Sequence, residues 1–109
     1  MNDLEIAKAI AELEGLSVTE HKGGILYPNN QGYMCVNGVT MEWYNPITDL
    51  ALNCMLRDKY QVEVEYTLDI VFIHMASKTY RAKYKSKEDI PRAVCTCILG
   101  SQGRYLNEE

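Results

Sequence analysis

Apolar residues recur at helical spacing in three stretches of the chain, and they alternate with polar residues in several others. The first helical stretch covers residues 3–14, where apolar side chains form a broad stripe along one side. Asn2 or Asp3 can accept hydrogen bonds from the free amides at its start. Gly15 follows, and glycine readily adopts the left-handed conformation that ends many helices. This pattern predicts a helix over residues 3–14.

A turn-rich region follows the first predicted helix. Short apolar runs predict strands over residues 16–21 and 25–27. Asn37 and Gly38 lie between two further apolar runs, and such a pair is the strongest short signal for a β-hairpin. The pattern leaves open whether these strands join the main sheet or form a separate excursion.

The second helical stretch begins just after the only tryptophan of the chain and is predicted to span residues 46–59. Pro46 suits the first helical position, because the N–H that it lacks would have no partner there. Asn45 before it is a favourable N-cap residue. A proline also disfavours helical backbone at the preceding residue, which places the boundary here. The predicted apolar face comprises Ile47, Leu50, Ala51 and Cys54, widened by Leu52, Met55 and Leu56.

Three strands are predicted after this helix. Residues 61–68 and 79–84 alternate between apolar and polar side chains, as half-buried strands do. Residues 70–76 are apolar on both faces, which is typical of a central strand. Because only short turns separate the three segments, we expect an antiparallel three-strand meander over about 61–84.

A last helix is predicted over residues 88–100. Ser86 resembles the first residue of a capping box, and Pro91 lies within the first turn that follows. The length of 109 residues suits one domain, 1–109, with a loose tail from about residue 104. The predicted fold class is α+β, an antiparallel sheet with helices on either side at about 3–14, 46–59 and 88–100, which is a layered alpha-beta-alpha sandwich.

Composition and charge narrow the class of protein. Hydrophobic residues make up 47% and charged residues 24%, as in soluble globular domains. No apolar run reaches the ~20 residues that span a bilayer, and the acidic N-terminus lacks the basic start of a signal peptide. We therefore expect a cytoplasmic protein without a membrane partner. The net charge of −4 makes nucleic acid an unfavourable partner, because nucleic-acid binding needs clustered cations.

The charge is unevenly distributed, and residues 78–92 are basic. One interpretation is an ordinary solvated face, and the other is a site for an anion or an acidic partner. Arg92 would lie in the first turn of the last helix, where anions are favoured. Four side chains of this segment are candidate ligands for a nucleotide or another small anion: Arg81, Lys83, Lys85 and Arg92.

The residues that usually carry catalysis or metals do not form a recognisable set. None of the four cysteines lies in a C-x-x-C pair, so we expect no metal and four small, reduced, buried cysteines. His74 lies in the most apolar strand and is interpreted as a core or edge residue. No serine lies in a nucleophile-elbow pattern, and no phosphate-binding glycine loop is present in the sequence. We expect a protein that is not an enzyme and needs no cofactor.

Tyrosine is the prevalent aromatic residue, with eight tyrosines against one phenylalanine. Tyrosine and tryptophan supply rigid contact area with a polar group, as interface residues do. The plainer interpretation is that Asn45 and Asp49 begin a helix and that Trp43 packs over its end. The alternative is a binding patch that consists of Trp43, Tyr44, Asn45, Asp49, Tyr27 and Tyr33.

Two helix-start segments carry a resemblance to a known family. Residues 44–51 read Tyr-Asn-Pro-Ile-Thr-Asp-Leu-Ala, and residues 89–95 read Asp-Ile-Pro-Arg-Ala-Val-Cys. Together with the opening helix and its glycine stop, they resemble the small phage-encoded proteins called the phage alpha-beta-alpha sandwich domain. The resemblance implies a sandwich fold and a phage accessory gene, and it implies no activity.

Three hypotheses about function follow. The leading one is a small non-enzymatic phage protein in the host cytoplasm that binds, and could inhibit, a host protein such as a defence complex. Acidic residues of the first helix, Glu5, Glu12 and Glu14, could engage a basic surface of that target. The alternative is a protein that sequesters a nucleotide or another small anion. The third is a homo-oligomer that pairs through edge strands at 61–66 or 79–84.

Overall fold

A computed structural model describes residues 2–103, so the predicted tail from residue 104 lies outside the described residues. This part of the chain contains three α-helices, and their bounds are Asp3–Leu13 (α1), Leu50–Tyr60 (α2) and Ile90–Ser101 (α3). A short 3-10 helix, Lys87–Asp89, leads into α3. The strands are Thr19–His21 (β1), Gly24–Pro28 (β2), Met34–Val36 (β3), Val39–Trp43 (β4), Glu63–Glu65 (β5), Ile70–His74 (β6) and Thr79–Lys83 (β7). The α+β class and the three helices are confirmed.

The strands form two antiparallel sheets rather than one. The first has the order β1-β2-β4-β3, and the second has the order β5-β6-β7. The strands of the turn-rich region therefore form their own sheet, which answers the question that the sequence left open.

The start and the end of α1 are as predicted. The Asn2 side chain accepts a hydrogen bond from the Glu5 amide at 2.8 Å, and the Glu5 carboxylate accepts one from the Asn2 amide at 2.8 Å. This reciprocal capping box satisfies two amides that the helix leaves free. Gly15 has a φ of +77°, so the glycine after α1 takes the predicted left-handed conformation.

The hairpin between β3 and β4 is also confirmed. Asn37 has a φ of 51° and Gly38 a φ of 81°. Two positive φ values are what the favoured two-residue turn requires, because its twist matches the twist of the strands.

The prediction for α2 was wrong in its start and in its buried face. Asn45 Oδ1 accepts hydrogen bonds from the amides of Ile47 at 3.1 Å and Thr48 at 3.3 Å, which closes a separate turn around Pro46. The helix then begins at Leu50, and Asp49 is its N-cap.

The buried face of α2 is set by Asn53 and Leu56, which are 6% and 3% exposed. Leu50 is 63% exposed, and Ala51 and Cys54 are exposed as well, so these three residues of the predicted apolar face point outward, whereas Leu56 is buried as predicted. The physical reason is a buried amide: the Asn53 side chain donates hydrogen bonds to two backbone carbonyls, which fixes the rotation of the helix.

The first strand of the second sheet is shorter than predicted. β5 ends at Glu65, and a turn in which Asp69 has a φ of 55° leads into β6. Tyr66 and Leu68 were expected on the buried face of a longer strand, but they are 59% and 66% exposed.

α3 is the central helix of the core. It packs on β6 and β7 on one side and contacts α1 and α2 as well. Its residues Val94, Ile98 and Leu99 are 0% exposed. In the second sheet, α3 covers the face of Val71 and Ile73, and alternate residues of β6 point to the opposite face.

Candidate functional site

The four predicted anion ligands lie around one cleft between β7 and the start of α3. The cleft has a volume of about 710 Å³. Arg81 and Lys83 come from β7, Lys85 follows that strand, and Arg92 lies in the first turn of α3. The remaining residues that line this basic cleft are Ala82, Tyr84, Asp89, Ala93 and Thr96.

A tight reversal of the chain brings these residues to the same edge of the second sheet. The Tyr84 amide donates to the Asp69 carbonyl at 3.0 Å, which holds the end of β7 against the sheet. The Asp89 amide donates to the Ser86 carbonyl at 3.0 Å within the 3-10 turn. The first turn of α3 therefore lies beside the strand that the chain has just left.

Positive charge predominates in the cleft. Within residues 2–103, no ion pair involves Arg81, Lys83 or Lys85. Asp89 is the carboxylate that lines the cleft, and the Ser86 hydroxyl donates to its Oδ2 at 3.4 Å. Four cations and one carboxylate line the cleft, and although Arg92 is paired with Asp3 outside it, the surplus of cations gives a local positive potential on a chain whose net charge is −4.

Arg92 is the member of this set with a fixed position. Its Nε donates to Oδ1 of Asp3 at 2.9 Å, and the Arg92 side chain is 36% exposed. The ion pair joins the start of α3 to the start of α1. The Nε–H group of Arg92 is therefore engaged within the protein.

Part of the cleft wall is apolar and buried. Ala93 is 5% exposed. The Thr96 hydroxyl oxygen is buried and has no hydrogen-bond partner among residues 2–103. The cleft therefore combines cationic side chains at its rim with a non-ionic wall, an arrangement suited to a ligand that carries both charge and an uncharged moiety.

The predicted aromatic patch does not form as one surface. Tyr44 is only 4% exposed, and its ring meets the ring of Tyr27 edge-on at 5.6 Å. Asn45 and Asp49 use their side-chain oxygens to cap a turn and a helix. Tyr33 is fully exposed and does not line the groove beside Trp43. Asp49 therefore begins a helix, as the plainer interpretation expects, whereas Asn45 closes the turn before it.

Trp43 does line a smaller groove of about 370 Å³, with Tyr44 and Asn45 beside it. The indole is 44% exposed and lies 6.0 Å from the His21 ring, centroid to centroid. It packs so closely over Gly24 that a Cβ there would lie 2.9 Å from Cζ3 of the indole. The rest of this Trp43 groove consists of Asp3, Leu4, Ala7, Gly23, Ile25 and Thr48.

The acidic residues of α1 do not form a free patch. The Glu14 carboxylate accepts hydrogen bonds from Nζ of Lys59 at 2.9 Å and from the Tyr60 hydroxyl. Glu5 is engaged in the capping box. Burial, together with the hydrogen bond to Glu14, raises the pKa of Tyr60 to about 12. This cluster joins α1 to α2, and the sequence offered no periodic signal for it.

The cysteines divide into two pairs. Cys95 and Cys97 are buried, and burial raises the pKa of each thiol to about 12, so neither is an activated nucleophile. Cys35 and Cys54 are exposed, contrary to the prediction of four buried cysteines. Within residues 2–103, no group of three or more His, Cys, Asp or Glu side chains could hold a metal ion.

His74 does not lie in the core. It is exposed at the end of β6, and its Nδ1 lies 3.0 Å from the Thr79 hydroxyl oxygen. No helix in the described part of the chain is both long enough and apolar enough to cross a membrane.

In comparisons with known proteins, no family model, no curated protein and no solved structure matched this chain. The resemblance of residues 44–51 and 89–95 to a phage family therefore stays a prediction.

Proposed function

We propose that this protein is a non-enzymatic binding protein that holds a small phosphorylated anion, such as a nucleotide, in the basic cleft. The observation that carries the proposal is that Arg81, Lys83, Lys85 and Arg92 all line one cavity. They come from a strand, a connecting segment and a helix.

Phosphate is the anion that this arrangement suits best. Arginine can bind two phosphate oxygens at once, and lysine supplies a mobile point charge. A nucleotide also presents a ring that can lie along the uncharged wall near Ala93 and Thr96. The residues that line the cleft include no activated nucleophile. We therefore propose that the cleft binds the ligand without converting it.

The test is thermal stability in the presence of a ligand panel that includes pyrophosphate, nucleotides and cyclic dinucleotides. A ligand at about 100 times its Kd adds about 2.7 kcal/mol to the free energy of unfolding, which raises Tm measurably. The proposal expects a rise in Tm with at least one phosphorylated ligand and none with the matching nucleoside. The same Tm with every ligand would rule it out.

A second candidate function is contact with a host protein through the Trp43 groove. Trp43 is 44% exposed at the edge of this groove, and tryptophan is enriched among the residues that dominate binding energy at interfaces. This function would suit a small phage accessory protein of the alpha-beta-alpha sandwich family acting in the host cytoplasm, with the layered arrangement that such a family implies.

A pull-down from host lysate with the folded protein as bait tests this candidate. Trp43→Ala should lose the partner, whereas Tyr33→Ala, which alters a fully exposed aromatic outside the groove, should retain it. Recovery of the same partner with both variants, or of none with the unaltered chain, would count against it.

A further inference from the structure

The open face of the second sheet has a charge pattern that complements itself. In this sheet, residues that pair across strands share a face. Phe72 on the central strand β6 pairs with Glu63 of β5 on one side and with Arg81 of β7 on the other. Ile70 pairs in the same way with Glu65 and Lys83. The face therefore has an apolar centre, an acidic strand along one edge and a basic strand along the other.

This face lies opposite the one that α3 covers. Cys97 of α3 donates a hydrogen bond to the Tyr80 carbonyl at 3.2 Å, and Val71 beneath the helix is 0% exposed. Phe72 and Ile70 point away from that side and are half-buried, although both are large apolar residues on a central strand. Antiparallel sheets commonly leave one face to water, but that face is then usually polar along its centre.

The opposite charges do not neutralise each other within one molecule. Adjacent strands are about 4.8 Å apart, so Glu63 and Arg81 are separated by two such spacings, about 10 Å. That distance is about one Debye length at moderate salt, and water screens the interaction. Among the described residues, no ion pair joins Glu63 or Glu65 to Arg81 or Lys83.

A second copy related by a two-fold axis parallel to the strands pairs these opposite charges between molecules. Rotation about such an axis places the open face of the second copy against that of the first. It also reverses the order of the three strands across the face. The acidic β5 of one copy then lies over the basic β7 of the other, twice, while Phe72 and Ile70 meet at the centre. An axis perpendicular to the strands would instead oppose like charges, which is unfavourable. The charge pattern thus selects one of the two face-to-face arrangements.

We propose that this protein forms a symmetric homodimer through the open face of β5, β6 and β7. The occupant of the face is a second copy of the chain, because one surface carries both halves of the charge complementarity that a two-fold interface needs. Three strands of three to five residues, about 4.8 Å apart, span less than the roughly 800 Å² per partner of a standard interface, so we expect the dimer to be weak and salt-sensitive. This mode differs from pairing through the edges of β5 or β7.

The dimer does not depend on the anion-binding function, but the two are linked. Arg81 and Lys83 belong both to the open face and to the basic cleft, whereas Lys85 and Arg92 belong to the cleft alone. An anion in the cleft competes with the carboxylates of the second copy for the shared cations. Excess ligand is therefore expected to shift the equilibrium toward the monomer.

The experiment is sedimentation velocity from micromolar to millimolar protein, with two charge-reversed variants. Glu63→Lys/Glu65→Lys makes the face wholly basic, and Arg81→Glu/Lys83→Glu makes it wholly acidic. Each variant alone should self-associate at least about tenfold more weakly than the unaltered chain, because like charges then face each other. An equimolar mixture of the two should sediment as a dimer, which also shows that both variants fold.

Three results would overturn the proposal. One is an unaltered chain that remains a monomer at millimolar concentration. Another is a dimer that persists in each charge-reversed variant alone, which would indicate a different contact such as edge-strand pairing. The last is a mixture that stays monomeric. Failure here is separable from failure of the anion proposal, because Glu63→Lys/Glu65→Lys leaves every residue of the basic cleft in place.

Discussion

The side-chain amide nitrogen of Asn53 lies 2.7 Å from the carbonyl oxygen of Pro46. The same nitrogen lies 3.1 Å from the carbonyl oxygen of Pro91 in the first turn of α3. One buried amide on α2 therefore ties together the turn before its own helix and the start of the next. Because Arg92 directly follows Pro91, this contact also helps to position one wall of the basic cleft.

Replacement of Asn53 by leucine should destabilise the protein strongly. The side chain is 6% exposed, so the substitution removes the donor of the Pro46 carbonyl in a buried site, and it also removes a second donor of the Pro91 carbonyl, which already lies within the backbone ladder of α3. An unsatisfied buried group costs about 1–3 kcal/mol, and we expect a loss of that size in the free energy of unfolding. Urea denaturation measures it. Leu50→Ala, at a 63% exposed position of the same helix, is the control and should change stability by less than about 0.5 kcal/mol.

The N-cap of α2 gives a second prediction. Asp49 Oδ1 accepts a hydrogen bond from the Leu52 amide at 3.1 Å. Asp49→Ala should therefore lower the free energy of unfolding by about 1 kcal/mol, whereas Asp49→Asn keeps an acceptor and should cost less. Equal stability of the alanine and asparagine variants in urea denaturation would show that the cap contributes nothing.

The start of α2 shows where sequence patterns succeed and where they fail. α1 was predictable because its cap and its glycine stop act within a few residues. α2 was misplaced because Asn45 and Asp49 are both good caps, and only the tertiary contact of Asn53 decides between them. A count of apolar positions overlooks a polar residue, such as Asn53, on the buried face of a helix. The predicted apolar face of α2 was therefore rotated relative to the face that is buried.

The contact of Trp43 with Gly24 can be tested by fluorescence, since the chain has one tryptophan. Gly24→Ala places a methyl group 2.9 Å from the indole, so the ring must move. We expect a shift of the emission maximum in the folded protein. Gly100→Ala is the control, because a Cβ there meets nothing within 4 Å, and it should leave the emission unchanged. An identical spectrum for Gly24→Ala would contradict the packing.

The cysteines should react as two pairs. With a pKa of about 12, the thiols of Cys95 and Cys97 are almost wholly protonated at pH 8, and both are buried. In the folded protein we therefore expect rapid alkylation of Cys35 and Cys54 alone, and of all four cysteines in urea. Mass spectrometry of the labelled peptides measures this. Rapid labelling of Cys95 in the folded state would contradict the buried core.

The same pKa values carry a consequence for alkaline stability. A thiol whose pKa rises on folding from 9.0 to about 12 stabilises the folded state fully below pH 9. That contribution is lost as the pH rises toward 12, because the unfolded chain releases its protons first. Urea denaturation at pH 8 and at pH 10 should therefore give a lower free energy of unfolding at the higher pH.

The structure brings the residues of the two predicted sites together to different extents, for a physical reason. The basic residues cluster within one strand and the helix that follows, so a tight turn suffices to bring them together. The aromatic residues are spread over β2, a loop and the end of β4. Their positions depend on how the first sheet curls, and nothing local in the sequence specifies that. The burial of Tyr44 is the clearest consequence.

The most direct test of the basic cleft compares two neighbouring lysines. Lys85 lines the cleft and Lys87 does not, although both are exposed and two residues apart. Calorimetric titration with pyrophosphate and ATP should show the same affinity for the unaltered chain and for Lys87→Glu. Lys85→Glu should bind at least about tenfold more weakly, since a charge that faces the ligand is reversed. Equal affinities for both variants, or no binding by the unaltered chain, would contradict the proposal that the cleft is the anion site.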